Sequence, residues 1–220
     1  MRYGLSFSSP TPNVTRFLIA IIAPYLAFAL FGKSRLGHAI YESLVLDPYD
    51  VVYSFELWRL VTYAFLHDMN SPLHVIFNAL MLYIVGTPLE ERYGEKKFFI
   101  FVMAAIILGG IFVCASYLLS LSTAPVVGFS AATVGLIIVW GLTFKEQPIY
   151  FLGILPLTGK QLVFLTIGLE IIYAVSGNSI SSAAHFGGIA TGFIFFYELY
   201  RPRRFRQILH RHRIKRNSRR

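Results

Sequence analysis

Phe98 to Leu119 reads FFIFVMAAIILGGIFVCASYLL, 22 residues without a charge, preceded by Lys96 and Lys97. At 1.5 Å per residue a helix of this length reaches ~33 Å, enough to cross the ~30 Å hydrocarbon core of a bilayer. The run is apolar on every side rather than alternating, which predicts a helix and not a barrel strand.

Five further apolar runs of comparable length flank it, at about 16-32, 73-89, 127-144, 160-176 and 183-200. Hydrophobic residues make up 55% of the 220-residue chain and charged ones 14%. Mean hydropathy is +0.60, outside the range of soluble domains, in which about 25% of residues are charged. The expected fold class is all-α, a polytopic membrane protein with six transmembrane helices in one domain. Its parts are a cytoplasmic N-terminal segment at 1-15, a membrane domain at 16-200 with an external loop at 33-72, and a basic cytoplasmic tail at 201-220. Arg2, Arg16 and Ala27-Phe28-Ala29 have the look of a signal peptide, but the apolar run continues through Leu30 and Phe31, which suits a retained helix better.

Net charge is +9, and the excess is local. Residues 201-220 hold ten Lys and Arg and no acid, leaving ten basic against eleven acidic residues elsewhere. A tail this basic, directly after the last apolar run, is the expected cytoplasmic marker. Lys96 and Lys97, and then Lys145 and Lys160, fall on the same side, and six spans put both termini in the cytoplasm. The reading is an integral multi-pass protein of a prokaryotic inner membrane, with anionic lipid attracted to the tail and no nucleic acid partner. The single cysteine, Cys114, excludes an intrachain disulfide and reads as a packing thiol.

With the orientation set, the polar residues inside the apolar runs can be compared by depth. His74 and Asn78 lie four apart, on one face of the second helix. Ser130 stands in the first turn of the fourth helix, in Gly128-Phe129-Ser130-Ala131, and His185 in the first turn of the sixth, in Ala184-His185-Phe186-Gly187-Gly188. All three helices enter from outside, so the four groups share the outer leaflet. One such His is more often a packing group than a catalyst; four groups of complementary type point to acyl transfer. Ser130 is the candidate nucleophile and His185 the candidate general base and acid. His74, Asn78 and the free N-H groups at the start of the fourth helix are candidate oxyanion donors. Ala184, Gly188 and Gly192 form a small face that can meet Gly128, Ala131, Ala132 and Gly135. Glu170, the only acid inside the fifth helix, has no readable register, so the expectation is a dyad and not a triad. An internal hydrogen bond is its plain reading, since an ionised carboxylate in mid-helix costs ~3 kcal/mol on insertion scales.

These residues resemble the rhomboid intramembrane serine protease family. The matching stretches are Trp58-Arg59, His67, His74-Val75-Ile76-Phe77-Asn78, Glu90-Glu91-Arg92-Tyr93-Gly94, Gly128-Phe129-Ser130, and Ala184-His185-Phe186-Gly187-Gly188 with Gly192, over roughly residues 50-200. The resemblance implies a six-helix rhomboid-like bundle that cleaves transmembrane protein substrates in or near their spans, at small residues, with no cofactor and no metal. It assigns Ser130 and His185 to catalysis and His74 and Asn78 to the oxyanion. Trp58-Arg59 takes a structural role in the first loop, as does His67, and Glu90 or Glu91 with Arg92 forms a cytoplasmic stabilising network. Helix 5, with Glu170, borders the substrate entrance. Two positions depart from the family pattern. Ala131 replaces the glycine after the serine, which is expected to narrow the oxyanion site, and Val134 replaces an aromatic that can support the histidine ring. Pro148 to Pro156 is too short to span and is expected along the inner interface, with Tyr150 at headgroup depth.

The rival reading is a weak or inactive rhomboid-like protein that binds transmembrane helices without cutting. It is disfavoured because both Ser130 and His185 are kept. A transporter is weaker still, for want of paired interrupted helices.

Overall fold

The computed structural model describes residues 9-119, 124-151, 155-176 and 179-198. The basic tail at 201-220 lies outside them.

Ten helices and one hairpin make up the described chain. The first, α1 (Pro12–Phe31), starts four residues before the apolar run does, because Pro12 at its first position suits a helix start. The 33-72 loop folds into α2 (Arg35–Leu44), α3 (Pro48–Tyr53) and α4 (Arg59–Thr62), which ends in a 3-10 turn. The predicted second span is α5 (Pro72–Met81) and α6 (Thr87–Tyr93), joined through a π turn at Leu82–Gly86. Pro88 explains that turn: its ring has no N-H and excludes the carbonyl four residues back, so the ladder widens just before it. Next come α7 (Glu95–Leu118) and α8 (Ser130–Thr143), and after the hairpin α9 (Gly159–Val175) and α10 (Ser179–Phe196).

Among the described residues three stretches are both long and apolar enough to cross a membrane: Pro12–Phe31, Pro72–Tyr93 and Glu95–Leu118. The apolar helix α8 has 14 residues, ~21 Å of rise, which is short of a full hydrocarbon core. It lies at the centre of the bundle, with every residue from Ala131 to Gly141 buried. That burial is why its sequence is apolar all round.

The described chain is mostly helical, and one hairpin interrupts it. Strands β1 (Pro148–Phe151) and β2 (Leu155–Thr158) pair antiparallel, Pro148 opposite Thr158 and Phe151 opposite Leu155. The segment is too short to span, and pairing satisfies its backbone groups locally. The side chain of Tyr150 lies outside the described residues.

Close packing of α10 sets the geometry of the site. A Cβ on Gly188 would lie 2.9 Å from the Ala131 carbonyl carbon and nearer still to its oxygen, and one on Gly135 would lie 2.9 Å from the Gly188 oxygen. Gly192 meets Ile138, and Gly187 meets Gly109 of α7, as closely. Helix α10 is thus wedged between α7 and α8 along the small face read from the sequence.

The loop is held by Arg59, which is 6% exposed. Its guanidinium pairs with Glu56 (2.6 Å) and Asp50 (3.0 Å) and donates to the carbonyls of Glu42 and Val45, both at 2.6 Å. Trp58 Nε1 donates to the Ser43 carbonyl at 3.0 Å. This is the structural role expected of both residues.

On the opposite side, the expected network of Glu90 or Glu91 with Arg92 is replaced by a different one. Glu90 is buried and accepts hydrogen bonds from the backbone N-H groups of Asn13 and Val14, each at 3.0 Å, from Asn13 Nδ2 and from the Thr11 hydroxyl. The carboxylate thereby satisfies the orphan donors and the positive end of α1. Arg92 instead lies over the Phe144 ring, and Glu91 is exposed.

Candidate active site

Ser130 is the first residue of α8, and the chain before it is fixed by three backbone hydrogen bonds. Val126 and Leu46 exchange two backbone hydrogen bonds, and Gly128 N-H donates to the Tyr63 carbonyl at 2.9 Å. Gly128 has φ +124°, and a Cβ there would fall 2.7 Å from the His74 ring. Both the backbone angle and the close ring demand glycine.

His185 lies on α10 one turn before Gly188, the residue in closest register with α8. It falls nearly two turns into its helix rather than in the first, since α10 begins at Ser179. The Ala131–Gly188 contact brings its ring over Ser130, with Nε2 2.7 Å from Ser130 Oγ. Its other nitrogen, Nδ1, is 2.8 Å from Glu170 Oε2. A dyad without a carboxylate is therefore not what the geometry contains: α9 packs on α8 and α10 and delivers Glu170 to the far side of the ring. The sequence reading missed this because α9 is apolar around most of its circumference, and such a helix reveals no face. The signal available was the isolated acid itself, costly in lipid without a partner.

His74 and Asn78 come to the same place. The Asn78 amide donates to His67 Nε2 (3.2 Å) and to the His74 carbonyl (3.0 Å), while its oxygen accepts from the Thr133 hydroxyl at 2.9 Å. Both amide protons of Asn78, a candidate oxyanion donor, are thus engaged within the protein. His67 is buried beside it, its ring edge-on to His74 at 5.1 Å between centroids. Burial, with the His74 ring as the lesser cause, pushes the His67 pKa from 6.5 down to about 3, so its ring is neutral and free to accept at Nε2.

The two departures from the family pattern also find their places. The Ala131 methyl points toward Gly109 of α7, where an added Cβ would meet it at 2.7 Å, and away from the cleft. It fills a helix interface and leaves the expected narrowing of the oxyanion site without a basis. Val134 packs with Ile138, Val163 and Ile189, and the His185 ring is held by Glu170 instead.

Ser130, His185, Glu170, His74 and Asn78 line one cleft of about 780 Å³. Its walls are apolar, with Phe77 from α5 on one side and Leu169 and Tyr173 from α9 on the other. A hydroxyl bonded to an imidazole at the end of an apolar cleft can act as a nucleophile on an acyl group, since proton transfer to the ring accompanies attack. Among the described residues no cluster of three His, Cys, Asp or Glu side chains could hold a metal ion.

Comparison with known proteins agrees with this architecture. Residues 54–202 match the Rhomboid domain. Rhomboid-like protease 3 of Toxoplasma gondii is 30% identical over 192 residues, 86% of this chain and 68% of that protein. Rhomboid protease GlpG of Salmonella choleraesuis is 30% identical and that of Salmonella typhi 29%, each over 93 residues. Those matches cover 42% of this chain and 31% of GlpG. The chain is an integral membrane protein that belongs to the rhomboid family.

Proposed function

We propose that this protein is an intramembrane serine endopeptidase, with six spans formed by α1, α5 with α6, α7, α8, α9 and α10. Its substrates are other membrane proteins, cut in or near their transmembrane segments. The observation that carries this reading is the 2.7 Å approach of Ser130 Oγ to His185 Nε2 inside an apolar cleft. Ser130 Oγ attacks the scissile carbonyl carbon while its proton passes to Nε2. The C-N bond then breaks as that proton moves to the leaving amine, and an acyl-enzyme forms. Water attacks the ester, gives a proton to Nε2, and Ser130 departs with it.

His74 and the first N-H groups of α8 face the developing oxyanion, where the helix dipole adds to the stabilisation. Asn78 joins them by releasing the His74 carbonyl, at the expense of one internal bond. Both termini lie in the cytoplasm of a prokaryotic cell, and the 201-220 tail rests on anionic lipid.

The test is cleavage, in proteoliposomes, of a single-span reporter with an Ala- and Gly-rich transmembrane segment. Wild type is expected to cut it and Ser130→Ala to leave it intact. Equal cleavage by both would end the assignment of Ser130. A folded wild type that binds the reporter without cutting it, or any of a varied set of spans, would favour the helix-binding alternative.

A further inference from the structure

Glu170 is the one acid in a turn that otherwise shows Leu169, Ile171 and Ile172 to the surroundings at 51%, 51% and 65% exposure. Its own side chain and that of His185 are each about 15% exposed, and they meet at 2.8 Å. A carboxylate in such a setting is costly unless it is paired. The partner it finds is the ring nitrogen opposite the one that faces Ser130.

We propose that Glu170 positions His185 for the reaction, making the site a Ser130–His185–Glu170 relay in which the carboxylate fixes the ring's tautomer and orientation. The inference rests on the protease reading above and adds a residue to it. A neutral imidazole carries one proton. Only when that proton sits on Nδ1 is Nε2 free to accept from Ser130, and a carboxylate bonded at Nδ1 selects that form. When Nε2 takes the serine proton, the resulting imidazolium lies against a negative charge in a poorly solvated cleft, which favours the charged intermediate.

The experiment compares wild type, Glu170→Gln, Glu170→Asp, Ser130→Ala and His185→Ala on the reporter described above. It reads kcat, KM, the rate of phosphonate labelling of Ser130, and melting temperature. Gln can turn an N-H toward Nδ1 and so favour the wrong tautomer. Its kcat and labelling rate are expected to fall ~10²-fold, with KM within about twofold and melting temperature near wild type. Asp keeps the charge but, one carbon shorter, holds the ring less closely, and is expected to recover about tenfold of that loss and to stay about tenfold below wild type. The proposal is overturned if the Gln form works within about twofold of wild type, or if the Gln and Asp forms lose activity alike in step with a lower melting temperature. A Gln form that does not fold leaves the decision to Asp: kcat reduced at unchanged KM and melting temperature supports the relay, and wild-type kcat overturns it. If Ser130→Ala or His185→Ala cleaves as wild type does, the Ser130–His185 mechanism on which the relay rests fails. Inactive Ser130→Ala and His185→Ala with a fully active Glu170→Gln would sink the relay alone.

Discussion

Gly188→Ala adds one methyl where α10 crosses α8, and the structure sets what that methyl does. Its Cβ would stand 2.9 Å from the Ala131 carbonyl carbon, with the oxygen nearer still, whereas carbon atoms settle at ~3.5–4.0 Å. Both partners are helix backbone, so no side chain can turn aside, and α10 must retreat by about 1 Å. His185 sits one turn away on the same helix, and its Nε2–Ser130 distance of 2.7 Å would lengthen to roughly 3.5 Å or more, past a useful hydrogen bond. A misplacement of this size costs ~10²-fold in rate, and overpacking costs ~1–3 kcal/mol in stability. The assay is reporter cleavage with phosphonate labelling of Ser130 in proteoliposomes, alongside thermal unfolding. Gly168→Ala is the control, because nothing lies within 4 Å of a Cβ there; it should keep full activity and gain up to ~1 kcal/mol of helix stability. Labelling of Gly188→Ala within twofold of wild type would refute the claim that this contact sets the position of His185.

Three further outcomes follow from the packing. Ala131→Gly should leave cleavage within a few-fold of wild type, since the methyl faces Gly109 and not the cleft, while unfolding measurements show a loss of ~1–2 kcal/mol from the added glycine and the lost contact. Glu90→Ala should destabilise by ~3 kcal/mol or more, because buried donors of α1 lose their acceptor, whereas Glu91→Ala should be close to neutral by the same measurement. Acidification should weaken the fold through His67. Its folded pKa is about 3 against 6.5, so the unfolded chain binds the extra proton between those values. Stability is then full above pH 6.5 and falls by up to ~1.4 kcal/mol per unit as pH drops toward 3. Thermal midpoints of wild type and His67→Gln across pH 7 to 4 should converge as the wild type loses this advantage; parallel curves would contradict it.

Amino-acid order alone determined the apolar runs and the small face of Ala184, Gly188 and Gly192. Each of these is a local property: bilayer thickness sets run length, and the helical period sets which small residues align. The same logic located Arg59 and Trp58 in the loop without naming their partners.

What only the tertiary structure decided are facts about facing and long-range pairing. Helix α9 carries apolar residues around most of its circumference, so no period reveals which side meets α10, and Glu170 could be matched to His185 only once α9 was packed. Glu90 found its donors on α1, some 77 residues away in the chain, through a helix N-terminus whose unmet N-H groups leave no mark in composition. The direction of the Ala131 methyl depends on the approach of Gly109 of α7, and one of the two Asn78 protons is met by His67, from the loop before α5. In a membrane the hydrophobic pattern separates protein from lipid weakly, because both are apolar, so the sequence marks the apolar runs and the packed bundle decides what a polar group within them meets.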